Sequence, residues 1–129
     1  MPISLTLLAS IGILYIIFGA IVGIARGKTK TNIGLGDDER MLLANRAHAN
    51  MAEWAPIALM LIAGMEYLGA PTVMLTSLAG GYLVTRAMHS VGILKGGEKP
   101  HPFRVIGAVG NLITIVWASI YVGLYAGAF

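Results

Sequence analysis

The residues in this chain best suited to chemistry are cations spaced along helical faces. Arg46, Asn50 and Glu53 fall at i, i+4 and i+7, which puts all three on one side of a helix. His48 lies among them in sequence but points almost oppositely and reads as a packed or interhelically hydrogen-bonded histidine. Arg86 and His89, at i and i+3, share a face of another helical segment; Arg104 opens a further one, with Asn111 one to two turns beyond. Arg26 ends the first apolar run. Guanidinium groups bind carboxylates through paired hydrogen bonds. They also favour ionisation of a nearby thiol, whose reference pKa is about 8.5. Taking that pKa to about 6.5 needs roughly 2.7 kcal/mol of preferential thiolate stabilisation, which one well-placed, partly desolvated Arg can supply. The set suits an anionic, water-soluble ligand that meets an apolar one.

Other chemistries are missing. The chain has no cysteine, so disulfides, thiolate metal sites and a cysteine nucleophile are excluded, and any reacting sulfur must belong to a ligand. There is no GxGxxG, no P-loop, no convincing metal-ligand spacing and no recognisable Ser/His/Asp arrangement, so no metal site is expected.

The elements that position these cations are apolar. Of 129 residues, 57% are hydrophobic and 12% charged, against about 45–50% and about 25% in soluble domains. Such a composition excludes disorder, which needs low hydrophobicity and high net charge. The net charge of +3 comes from nine Lys/Arg scattered among aliphatic residues, which make no surface for nucleic acid. The reading is a single integral membrane domain over residues 1–129, all-α, with four helices at about 3–25, 38–68, 72–94 and 103–127. Ile3 to Ala25 is uncharged for 23 residues, enough to cross a hydrocarbon core of about 30 Å. With no Lys or Arg ahead of it, this run lacks the basic region of a signal peptide and is expected to stay in the mature protein.

Polar connections separate the helices: Arg26–Arg40, the Gly69-Ala70-Pro71-Thr72 turn, and Lys95–Pro102. The first and third carry Arg26, Lys28, Lys30, Arg40, Lys95 and Lys99, with Arg104 at the edge, whereas both termini and the Gly69–Thr72 turn have no Lys or Arg. The positive-inside rule then places both basic loops in the cytoplasm and both termini outside. Trp117, Tyr121, Tyr125 and Phe129 suit an aromatic belt near the outer end of the last helix.

Each polar residue also has a plainer reading. Lys28, Lys30, Lys95 and Lys99 can snorkel to headgroups, as can Arg26 and Arg104. Arg46 and Glu53 could form an internal charge pair, His101 reads as a turn residue between prolines, and Glu66 as interfacial. Pro56 removes a backbone hydrogen bond and could kink its helix. GxxxG spacings at Gly19/Gly23, Gly23/Gly27 and Gly123/Gly127 are consistent either with chance in a glycine-rich chain or with close helix contact.

The stretch from Glu39 to Pro56, ERMLLANRAHANMAEWAP, resembles the MAPEG family, the membrane-associated proteins in eicosanoid and glutathione metabolism, whose pattern ER…RAHxNxxE…P it meets in order and spacing. Arg86-Ala87-Met88-His89 is similar to the family's R-x-x-H, and Arg26 and Arg104 fall where the family places cations. The resemblance covers essentially the whole chain, and the short length resembles the bacterial branch and microsomal glutathione transferases. It implies a four-helix subunit in a homotrimer in the bacterial inner membrane. Glutathione, as co-substrate, would lie between subunits at the cytoplasmic end. Arg26, Asn50, Glu53, His89 and Arg104 would contact it, and Arg46 and Arg86 would contact it or support the pocket. Arg104 would be the catalytic residue, stabilising the thiolate for attack on a hydrophobic electrophile or a lipid hydroperoxide.

Three positions depart from the pattern. Ala49 stands where prostaglandin-type members have Arg, Ile93 where the eicosanoid enzymes have the tyrosine that follows R-x-x-H, and Val105 where some members have a serine after the catalytic arginine. They argue against a specific eicosanoid synthase and leave a general glutathione transferase or peroxidase. The alternative is a non-catalytic lipid-binding or scaffold protein of the same family; a small transporter is weaker, since no paired broken helices are visible.

Overall fold

The computed structural model describes residues 1–97 and 99–127 and is all-α. Four helices follow in order: α1 over Pro2–Thr29, α2 over Glu39–Tyr67, α3 over Thr72–Gly96 and α4 over Pro102–Tyr125. Phe129, assigned above to an aromatic belt, lies outside the described residues.

Local chemistry accounts for the helix ends. Prolines open α1 and α4, at positions whose N–H has no intrahelical partner in any case. Asp38 caps α2 by accepting a hydrogen bond from the Arg40 N–H at 2.8 Å. His101, expected as a turn residue, caps α4 through Nδ1, which accepts from the Phe103 N–H at 3.2 Å. α1 runs one turn further than the 3–25 expected, through Arg26 and Lys28 to Thr29, and ends on Lys30 in the left-handed conformation with φ 54°. Charge marked a membrane edge there, not a helix end; basic residues in a last turn complement the helix dipole.

α2 and α3 form the centre of the bundle. Each packs against all three other helices, whereas α1 and α4 do not meet among the described residues. On α2 this contact is made through small and apolar residues. Its buried stripe is Met41, Ala44, Ala47, Met51, Ala55, Ala58, Ile62 and Met65. The recurrence every three or four residues keeps the stripe on one face, and the alanines let neighbours approach. α1 answers with Leu7, Ile11 and Phe18. At the same interface Tyr15 and His48 meet edge to face, their ring centroids 4.7 Å apart, so His48 packs against α1 as its helical angle suggests.

The closest helix approach is between α3 and α4. A Cβ added at Gly107 would stand 2.5 Å from the Thr85 carbonyl oxygen and 2.6 Å from His89 Cβ; one at Gly110 would stand 2.9 Å from Thr85 Cβ. By contrast, Gly23, Gly27 and Gly127 of the GxxxG spacings face open space within this chain, and Gly19 meets only the His48 ring. Glycine is needed at Gly107 and Gly110, which are not spaced as GxxxG.

α1 and α4 are each long and apolar enough to cross a membrane. Both leave large apolar side chains uncovered, among them Ile16 and Ile24 on α1 and Leu112, Ile113 and Trp117 on α4. A surface of that kind needs lipid or another protein surface against it.

Candidate functional site

At the basic end, α2, α3 and α4 enclose a cleft of about 140 Å³ lined by Leu42, Leu43, Arg46, Asn50, His89, Ile93 and Arg104. Three helices therefore deliver four of the expected polar residues to one space. Each is placed by an identifiable feature. Arg46 and Asn50 lie one turn apart on α2, beside its buried stripe. Arg104 lies in the first turn of α4, close behind the His101 cap and Pro102. That turn can lie against α3 because residue 92 is glycine: a Cβ there would fall 2.7 Å from Arg104 Cα and 2.8 Å from the Phe103 carbonyl carbon. Gly92 was missed in the sequence, although it follows His89 by three residues on the same helical face.

His89 is fixed by α4. Its Nδ1 stands 2.9 Å from the Arg104 carbonyl oxygen, which can only accept, so Nδ1 carries the proton and Nε2 remains the ring's other nitrogen. Arg86 is fully buried, one turn before His89, and its Nη2 donates to Asn50 Oδ1. That bond ties the α2 amide to α3 and brings a cation up behind the cleft. Arg86 Nε, Tyr82 Oη and Ser90 Oγ are buried with no hydrogen-bond partner among the described residues. Thr85 donates to Asn111 Oδ1 at 3.2 Å, linking α3 to α4 one turn deeper.

Glu53 stands beside the cleft without lining it, 3.9 Å from Arg46 in an ion pair whose side chains are about half exposed (53% and 52%). An exposed pair of that kind contributes little to stability, so it does not hold the bundle together as an internal pair would. Arg104 makes no side-chain hydrogen bond or ion pair with another described residue.

Arg26 lies elsewhere. Its Nη1 donates to the carbonyl oxygens of Thr31, Asn32 and Gly34 at 3.2–3.3 Å, folding the following loop back on the end of α1. Within one chain it does not reach the cleft that holds Asn50, His89 and Arg104.

A second, more apolar cleft of about 230 Å³ adjoins the first. Trp54, Arg86, Ala108, Asn111 and Leu112 line it, and it shares Asn50 and His89 with its neighbour. Those two side chains border both spaces, the first with Arg46 and Arg104 and the second with Trp54, Leu112 and the buried Arg86. Among the described residues no cluster of His, Asp or Glu is arranged to hold a metal ion.

Four helices, two of them apolar enough to span a bilayer, with a cationic cleft at one end, define the class: an all-α membrane protein with a polar site built from helix side chains. The chain belongs to the MAPEG family, whose family model matches residues 4–124 of the 129. No curated protein and no solved structure shows a significant match to it.

Proposed function

We propose that this protein binds glutathione at the cationic cleft and activates its thiol for attack on a hydrophobic electrophile or lipid hydroperoxide. The observation that carries this reading is the convergence of Arg46, Asn50, His89 and Arg104 on one cleft, with Arg86 buried behind it. Guanidinium groups suit the two carboxylates of the tripeptide. Arg104, free of competing partners among the described residues, is the group to stabilise the thiolate. The apolar cleft beyond Asn50 and His89 is where the electrophile would approach the sulfur.

In this reading all four helices span the membrane, with the basic loops cytoplasmic and the termini outside. The site is completed by a second copy in a homotrimer. Ligand pockets usually measure about 300–1,000 Å³, and the cleft of one chain, at about 140 Å³, falls short of that. Arg26 and uncovered apolar side chains such as Ile16 on α1 and Ile113 on α4 are what a neighbouring copy would bring to close it. The expected environment is a bacterial inner membrane.

A second reading, a non-catalytic binding member of the family, draws support from Ile93, which gives the cleft wall a hydrocarbon side chain in place of a hydroxyl. Calorimetric titration of the detergent-solubilised protein with glutathione, followed by conjugation assays with apolar electrophiles, separates the two. The transferase reading expects saturable binding below millimolar concentration that Asn50→Ala weakens, together with turnover. Binding without turnover on any electrophile supports the second reading, and absence of binding at millimolar glutathione refutes the transferase reading and leaves a lipid-binding or scaffold protein.

A further inference from the structure

Across Leu43 from the cationic cleft, α1, α2 and α3 leave a separate crevice of about 240 Å³ at the same basic end. Its walls are Ile21, Ile24, Ala25, Leu43, Ala44 and Leu94; its rim carries Lys28, Thr29 and Arg40. Leu43 is the one residue with a place in both cavities, and no polar side chain is common to them.

The two cations are not equivalent. Arg40 is held by Asp38 through two bonds, Nε to Oδ1 at 3.0 Å and Nη2 to Oδ2 at 2.6 Å, so much of its charge is answered. Lys28 is exposed and makes no ion pair with a described residue. It sits three residues beyond Ala25, where the 23-residue uncharged run of α1 ends. With α1 across a bilayer, Lys28 therefore lies at the level of the headgroups and the apolar walls lie at the level of the acyl chains. A cation in water above a hydrocarbon-lined slot is complementary to an amphiphile with the opposite charge on its head.

We infer that this crevice is a binding site for an anionic lipid, with its phosphate or carboxylate on Lys28 and one acyl chain between α1 and α2. The inference rests on α1 spanning the membrane and is independent of glutathione binding. Arg40 assists only to the extent that Asp38 releases it. Asparagine caps helices as well as aspartate does, so Asp38→Asn keeps the start of α2 while freeing the guanidinium.

The test is native mass spectrometry of the protein in neutral detergent, titrated with phosphatidylglycerol, with phosphatidylcholine of the same chains, and with inorganic phosphate. Retention of phosphatidylglycerol is expected to exceed that of phosphatidylcholine by about fivefold, the effect of one basic residue at an anionic lipid surface. Lys28→Ala should abolish the preference, Asp38→Asn should raise it, and Lys99→Ala, which removes the same charge elsewhere, should leave it unchanged. Inorganic phosphate at millimolar concentration should displace no lipid, because the apolar slot supplies the rest of the affinity. Equal retention of the two lipids overturns the assignment, as does a loss of preference as large in Lys99→Ala as in Lys28→Ala. Displacement by phosphate alone also overturns it, marking a free-anion site instead. Each outcome can be read whether or not glutathione binds.

Discussion

The two ends of the bundle treat their charges in opposite ways. At the end holding the chain start and the α2–α3 turn, one carboxylate, Glu66, is surrounded by donors. It accepts from the Ile3 N–H at 3.0 Å, the Ser4 N–H at 2.8 Å and the Ser4 hydroxyl at 2.5 Å. These are the unpaired amides of the first turn of α1, where a negative charge also meets the positive end of the helix dipole. Glu66 thus pins α1 to α2 and has little capacity left for a ligand. At the basic end, Arg46 has a distant, half-exposed partner and Arg104 has none among the described residues. A charge whose bonds are all made inside the chain is architectural, whereas a cluster left open beside a cleft is available for binding. Both ends contain polar groups that an apolar chain bears at a cost, but only one presents them outward.

That contrast can be broken at several points. The largest effect is expected at neither charge cluster but at the contact that lets α4 approach α3. Gly107→Val must displace the Thr85 and His89 backbones, and overpacking of this kind costs about 3 kcal/mol. Thermal unfolding in detergent, followed by circular dichroism, should show the loss, and glutathione affinity should fall with it because His89 moves. Next is Arg104→Ala, which should lower turnover by about 100-fold, as removal of a single preorganised charge-stabilising group does elsewhere, while leaving the unfolding temperature nearly unchanged. Glu66→Gln should behave in the reverse sense. It lowers the unfolding temperature by weakening the clamp on α1, less than the glycine replacement does, and leaves glutathione affinity where it was.

The smallest effect concerns the α2 cap. The hydrogen bonds from the Arg40 side chain and backbone hold the Asp38 carboxyl down to about 2. A carboxyl depressed by folding contributes stability that is complete above its unfolded value, about 3.9, and is lost as pH falls through 2. Carbon-detected NMR titration of Asp38 should place its midpoint near 2, rising with salt because the pair is exposed to solvent. The acid dependence of stability between about pH 4 and pH 2 should shrink in Asp38→Asn.

Much of this architecture could be read in advance where it depended on helical period. Arg46, Asn50 and His89 reach one cleft because their spacings put each pair or trio on a single face, and that geometry is local. The features that escaped depend on how helices meet. Gly107 and Gly110 matter only because α4 crosses α3 at those residues, and no spacing rule for a single helix picks them out; Gly92 does stand in a GxxxG spacing with Gly96, but only the crossing shows that it is needed. Glu66 reads as interfacial, but its partners at the start of α1, 62 and 63 residues back, are not legible in the sequence. Arg26 carries the right charge at the right depth, yet the carbonyls of its own loop occupy it, a loop conformation that composition does not specify. The His101 cap on α4 depends on the direction of its ring, which a place between two prolines does not specify.

The central claim is that the open cations at the basic end stabilise a glutathione thiolate, and ultraviolet difference absorbance near the thiolate band tests it most directly. The detergent-solubilised protein titrated with glutathione at neutral pH should develop a saturable thiolate signal, and Arg104→Ala should bind glutathione with that signal absent. A signal undiminished in Arg104→Ala, or saturable binding to the unmodified protein with no thiolate absorbance, would contradict the account and leave Arg104 as no more than an anchor for a carboxylate.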